Sequence, residues 1–252
     1  PAAGVLVLLL SFVLWMNFGS LAAALFYAWP ASRDGILGAI RDYITVHIPF
    51  ILMFAGLLFG SNAILKTRLR ELAGGNKGFR WRLSLETGAI YLALSAALTL
   101  LHIRYISPNA APAYEKLLFL LPVLLLTPMQ AVSEEIFFRA LPARIIYGSA
   151  LPLSPLRALP YSAVCGLLFL LPHLWNPEMH AGNAIIPMIY YFMWGFLAAM
   201  LSIATGGFEA AAAMHAANNL YIALLVNYPE SAMPTEALFI DSTGTSDAAT
   251  LA

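Results

Sequence analysis

The chain has 252 residues, 61% of them hydrophobic and only 10% charged, with a formal net charge of zero. A soluble domain is nearer half apolar and a quarter charged, so this composition excludes an ordinary water-facing surface and points to one that faces lipid. The zero balance gives no electrostatic case for nucleic acid, and the single Cys165, set in an apolar run, excludes a disulfide framework and a cysteine metal motif.

A hydrocarbon core of about 30 Å takes roughly 20 apolar residues in a helix. Seven segments meet or approach this length: Val5–Trp29, Ile44–Leu65, Leu83–Leu101, Leu117–Phe138, Leu156–Trp175, Ala184–Ala204 and Phe208–Val226. The expected fold is therefore all-α, a polytopic transmembrane helix bundle of about seven spans. The first, second and sixth segments are the cleanest. The fourth carries Glu134 and Glu135 near its end, and the seventh carries Glu209 and His215. Both are kept because polar groups at membrane depth are tolerated when they face protein or a wet cavity. Between the second and third segments, Gly74, Gly75, Asn76, Lys77 and Gly78 mark a turn-rich connection. Pro152, Pro155 and Pro160 are expected to break the chain before the fifth segment. No internal or inverted repeat of the transporter kind stands out. The tail from Tyr228 holds Glu230, Glu236, Asp241 and Asp247 and no basic residue; its last stretch, Asp241–Ala252, has the composition of a partly disordered segment. The chain divides into N-terminal transmembrane helices over 1–110, a motif-bearing helical core over 111–228 and a polar acidic tail over 229–252. It opens at Pro1 rather than Met, as a processed or truncated sequence would, so no signal peptide is read from it.

Basic residues set orientation. Lys66, Arg68, Arg70, Lys77, Arg80 and Arg82 follow the second segment, and Arg139, Arg144 and Arg157 follow the fourth. With seven crossings these nine share a side, against Arg33, Arg41, Arg104 and Lys116 on the other. The N-terminus is then expected in the cytoplasm and the acidic tail outside. The cluster of six could instead serve a lipid headgroup or a partner, the alternative to a plain topogenic role.

Three polar features interrupt the apolar segments. In Ser133-Glu134-Glu135-Ile136-Phe137-Phe138-Arg139, Glu135 and Arg139 lie four apart and share a helix face, while Glu134 points about 100° away. One carboxylate can be neutralised while its neighbour stays free; alternatively, both cap a helix end at a wet interface. His173, after Phe169 and directly after Pro172, is either a hydrogen-bonded helix residue or a functional imidazole. His215 and Asn219 project from one helical face among small alanines, as polar glue between helices or as a functional pair. Together the three features read as hydrolysis. A carboxylate or imidazole takes a proton from water, and an imidazole with an amide stabilises an oxyanion.

The ordered pattern Glu-Glu-x-x-x-Arg, Phe-x-x-x-His and His-x-x-x-Asn, each on its own apolar segment, resembles the CPBP family. That family takes in the CAAX-prenyl endopeptidases and the Abi-type bacteriocin-processing or immunity proteins. The matching residues are Glu134, Glu135 and Arg139; Phe169 and His173; His215 and Asn219, all within about Leu117 to Val226. The resemblance implies an intramembrane endopeptidase acting on a membrane-associated peptide or protein. In it Glu134 and His173 activate a water, His215 and Asn219 form the oxyanion hole, and Glu135 and Arg139 hold the motif helix. It favours a glutamyl mechanism with no metal. A zinc set of Glu134, His173 and His215 is the alternative, without the His-Glu-x-x-His pattern of the zincins. Two departures are local: Ala140 follows Arg139 where the family often has Gly, and Asn218 beside Asn219 doubles the last position.

The alternative function is a non-catalytic CPBP-like subunit, a scaffold or immunity protein in a larger membrane complex. A transporter or channel is a third class, disfavoured by the single polar cluster and the absence of paired broken helices. Expected partners are membrane lipid, a peptide or membrane-protein substrate and other membrane subunits, with no nucleic acid. Short connections rich in Ala and Leu point to a prokaryotic inner membrane.

Overall fold

The computed structural model describes residues 1–29, 35–75, 78–148, 151 and 154–243. Arg33, Asn76, Lys77, Pro152, Asp247 and the rest of 244–252 lie outside the described residues.

Six stretches are helical, long and apolar enough to cross a membrane: Ala2–Ala28, Gly35–Ile64, Trp81–Leu101, Ala113–Tyr147, Leu156–His173 and Ile185–Thr205. The first joins α1 (Ala2–Val13) and α2 (Ser20–Ala28) through a wider π-helical turn, Leu14–Gly19. The second is α3 (Gly35–Phe59) with a π-helical end, and a short α4 (Leu69–Gly74) follows it. The third is α5 (Trp81–Leu101). The fourth runs from α6 (Ala113–Glu135) through the π-helical Ile136–Ala140 into α7 (Leu141–Tyr147). Then come α8 (Pro155–His173), α9 (Ile185–Thr205) and α10 (Glu209–Leu224).

The seventh expected segment, α10, has only 16 residues and falls short on length and hydropathy. Its ends nevertheless lie on opposite sides of the bundle. At its start, the Phe208 N–H donates to the Ala73 carbonyl at 2.7 Å, and Arg80 pairs with the fully buried Glu209. At its end, the Leu224 carbonyl accepts from Leu238 N–H at 3.0 Å, where a small sheet forms. At about 1.5 Å per residue α10 covers roughly 24 Å, close to a bilayer core. On the Glu209 side, Thr67, Gly75, Arg144, Leu151 and Phe208 line one recess, which brings three connections together. The connections after the second and fourth segments thus meet on one side, as the two crossings between them require.

One expectation is corrected. Pro160 does not break the chain; it sits inside α8, and Pro155 occupies the first turn of the same helix. A first-turn proline forfeits an N–H that has no intrahelical partner anyway, and interior prolines persist in membrane helices packed by neighbours. Pro49, Pro122 and Pro128 are likewise inside helices. The described part of the tail includes a strand. β3 (Phe239–Asp241) pairs antiparallel with β1 (Ile106–Pro108) and parallel with β2 (Val226–Asn227). Backbone pairing, blind to side chains, holds this stretch despite its polar composition.

Packing around the motif helix is close. Trp15 meets the rings of Phe137 and Phe138 edge-on at 5.7 and 5.8 Å, which anchors the first span on the π-helical turn. Gly195 of α9 abuts α8: a Cβ there would lie 2.7 Å from Phe169 Cβ and 2.9 Å from the Cys165 carbonyl. That approach brings the His173 end of α8 against Tyr191 on α9.

Candidate active site

A cavity of about 360 Å³ lies toward the sheet side of the bundle. Glu134 from α6, His173 from α8, and His215 and Asn219 from α10 all line it. Glu135 and Arg139 do not; they stand behind it with no solvent exposure. The cavity therefore gathers the four residues expected to be catalytic and leaves the two expected to be structural outside.

Glu135 Oε1 lies 2.5 Å from Arg139 Nη1, the anticipated i,i+4 pair. The same oxygen accepts from His215 Nδ1–H at 2.9 Å. The paired carboxylate thus fixes the ring on α10 and turns its Nε2 toward the cavity, 3.8 Å from Glu134 Oε2. Arg139 in turn donates through Nε to the Gly195 carbonyl at 3.3 Å, stacks its guanidinium 4.8 Å from the Phe169 ring, and offers its backbone carbonyl to the Tyr161 hydroxyl at 2.7 Å. One arginine so ties α6, α8 and α9 together around the motif. A π-helical turn, which adds a residue to a helical turn, runs over Ile136–Ala140 directly after the two glutamates.

Glu134 is 1% exposed. Its Oε1 accepts from Gln130 Nε2 at 3.0 Å, and its Oε2 has no hydrogen-bond partner among the described residues. His173 is held by Nδ1–H donation to the Phe169 carbonyl at 2.6 Å and by stacking on Tyr191 at 4.1 Å between centroids. Its Nε2 is left as the acceptor. Asn219 Oδ1 accepts from Asn218 Nδ2 at 3.0 Å, and Asn218 Oδ1 accepts from the Tyr91 hydroxyl at 2.7 Å. Asn219 therefore keeps its amide N–H groups for the cavity, and Asn218 orients it.

Several residues here were not singled out in the sequence. Gln130 stands one turn before Glu134, so the same-face rule could have found it. Asn176, Glu178 and Tyr191 form a second polar group on the cavity wall, with Tyr228 beyond them. Asn176 Nδ2 donates to Glu178 Oε1 at 3.2 Å and to the Tyr191 hydroxyl at 2.9 Å, while that hydroxyl donates to Glu178. Burial pushes the Tyr228 phenol up, and the nearby Glu178 charge adds to the rise. No periodicity marks these residues, because they lie on a helix end, a connection and the tail.

The alternative zinc set does not fit. Among the described residues no three His, Cys, Asp or Glu side chains are grouped so as to hold a metal ion.

No solved structure matches the chain at a significant level. A curated relative, an uncharacterized protein YyaK of Bacillus subtilis (strain 168), is 29% identical over 196 residues, which is 75% of this chain. The chain spans 63% of that relative's length. Residues 116–221, the stretch that holds Glu134, Glu135, Arg139, Phe169, His173, His215 and Asn219, are similar to the type II CAAX prenyl endopeptidase Rce1-like sequence model.

Proposed function

We propose that this integral membrane protein is an intramembrane endopeptidase that hydrolyses a peptide bond of a membrane-associated peptide or protein with a glutamate-activated water. The observation that carries the reading is Glu134: a buried carboxylate with one oxygen fixed by Gln130 and the other facing His215 Nε2 at 3.8 Å. That separation is too long for a direct hydrogen bond, and Oε2 has no other partner among the described residues. The match to the endopeptidase family over 116–221 supports the same chemistry.

Water attacks the scissile carbonyl carbon as its proton passes to Glu134 Oε2, with His173 Nε2 as the second acceptor that orients it. The carbonyl π pair moves onto oxygen. Asn219 N–H and the His215 ring, held by Glu135, receive that oxyanion. The intermediate then collapses, the C–N bond breaks, and Glu134 returns its proton to the leaving amine. The products are a carboxylate and an amine. We place the protein in a prokaryotic inner membrane with the N-terminus in the cytoplasm, in keeping with the basic connections sharing one side.

The test uses wild-type protein and Glu134→Gln in proteoliposomes. The probes are fluorogenic farnesylated CAAX-type peptides and unprenylated apolar peptides. The wild type should cut at least one set, and Glu134→Gln should lose about 10²–10⁴-fold while inserting normally. Cutting should survive 1,10-phenanthroline. Undiminished cutting by Glu134→Gln, or no cutting by the wild type, overturns the reading. Fixed-ratio co-purification with membrane partners and a phenotype that survives Glu134→Gln would identify a scaffold instead.

A further inference from the structure

Glu178 is a second buried carboxylate in the same cavity, and the proposed hydrolysis does not use it. It is 3% exposed, and it sits in the connection between α8 and α9, within the short 3₁₀ turn Pro177–Met179. Its two oxygens are treated differently. Oε1 accepts from the Tyr191 hydroxyl and from Asn176 Nδ2. Oε2 is buried with no hydrogen-bond partner among the described residues. A buried acceptor left unmet costs about 1–3 kcal/mol, so such an atom in a folded protein calls for a donor from elsewhere. No Lys or Arg among the described residues lines the cavity, whereas both Glu134 and Glu178 do. Tyr191, Tyr228 and Trp194 are also on the lining. Aromatic faces and a carboxylate together favour an organic cation.

We infer that Glu178 Oε2, with the rings of Tyr191 and Tyr228, forms a subsite for a primary ammonium group of the bound peptide, a lysine side chain near the bond to be cut. The inference rests on the endopeptidase reading for its substrate class. An ammonium has three donors and no acceptor, which suits an oxygen that lacks a donor. The subsite lies close to the proposed chemistry, because Tyr191 bridges the two. Its ring stacks on His173 at 4.1 Å and its hydroxyl reaches Glu178. An extended peptide advances about 3.3 Å per residue, so the residues next to the scissile bond are the ones to scan.

The experiment uses the full chain in nanodiscs and a panel of fluorescent N-lauroylated peptide amides. A single lysine walks along each otherwise apolar sequence, beside counterparts with acetyl-lysine or norleucine at the same position. Binding is read by anisotropy in the Glu134→Gln background, so that nothing is cut. At one stretch of positions lysine should bind roughly tenfold more tightly than both counterparts, about 1.4 kcal/mol. Adding Glu178→Gln, which keeps the shape and the Oε1 acceptor, should bring that ratio to about one. The acetyl-lysine comparison needs no change at Glu178, so the inference stays exposed even if the double variant folds poorly. Equal binding at every position overturns the inference, as does a ratio that survives Glu178→Gln. So does a preference confined to lysophosphatidylethanolamine over lysophosphatidylglycerol, which would make the site one for lipid headgroups. Wild-type protein that prefers lysine peptides but cuts none overturns the endopeptidase reading and leaves the cation site standing. Wild-type protein that cuts the panel with no lysine preference does the reverse.

Discussion

Helices α5 and α10 pack side by side, yet they solve opposite problems. α5 buries none of its residues, and Leu85, Leu94, Leu98 and Leu101 are all more than half exposed. Its apolar side chains meet lipid, and two of its polar groups turn inward: Tyr91 to Asn218, and Thr99 to the Tyr221 hydroxyl at 2.6 Å. α10 is shorter, and Glu209, Ala210, Ala211, His215 and Asn219 are among its buried residues. Small side chains let neighbours close in on every side, and its polar groups are met by residues of other helices. In a membrane, then, the helix that looks least like a span can be the most enclosed, because protein rather than lipid is its solvent.

Substitutions along the two helices can break or sharpen that contrast. The largest effect should come from Asn219→Ala on α10. If its amide receives the oxyanion, kcat falls about 10²–10³-fold with little change in KM, as for removal of one oxyanion donor in other hydrolases. Next is Ala211→Leu, at a fully buried position. Overpacking there should destabilise by about 1–3 kcal/mol, read as a lower midpoint of unfolding in detergent. Tyr91→Phe removes the single bond that braces Asn218 from α5, a loss of about 1 kcal/mol and a several-fold drop in kcat. The smallest effect should come from Leu94→Ala, 59% exposed on the lipid face of α5, with stability within about 0.5 kcal/mol of the wild type. If Leu94→Ala destabilised as much as Ala211→Leu, the assignment of the two helices to lipid and to protein would fail.

The same contrast explains what could be read before any coordinates. Spans such as α5 and α9 are legible because length and apolarity are local properties. The Glu135–Arg139 pair is legible because helical spacing dictates it. That Glu135 also holds His215 was not, since it depends on how α6 and α10 pack, and the two residues are 80 apart in the chain. Pro160 misled because a proline's usual disruption is compensated by neighbours that sequence does not show. The Asn176–Glu178–Tyr191 group had no signature: one member lies on a helix and two in a connection, with no common period. The strand in the tail is made by its backbone, not its side chains, so composition does not show it.

The small sheet at the tail has a consequence for how this protein can vary. Ser231, Ala232 and Met233 line the cavity on a stretch tethered at both ends by β2 and β3. Strand pairing tolerates most side chains, so this wall is free to change its chemistry while the helices that carry the glutamates and histidines stay constrained by packing. The family match ends at residue 221, before that wall begins. Relatives sharing the same floor can therefore diverge in what they admit by rewriting the dozen or so residues between the two strands, an evolutionary dial set apart from the machinery it tunes.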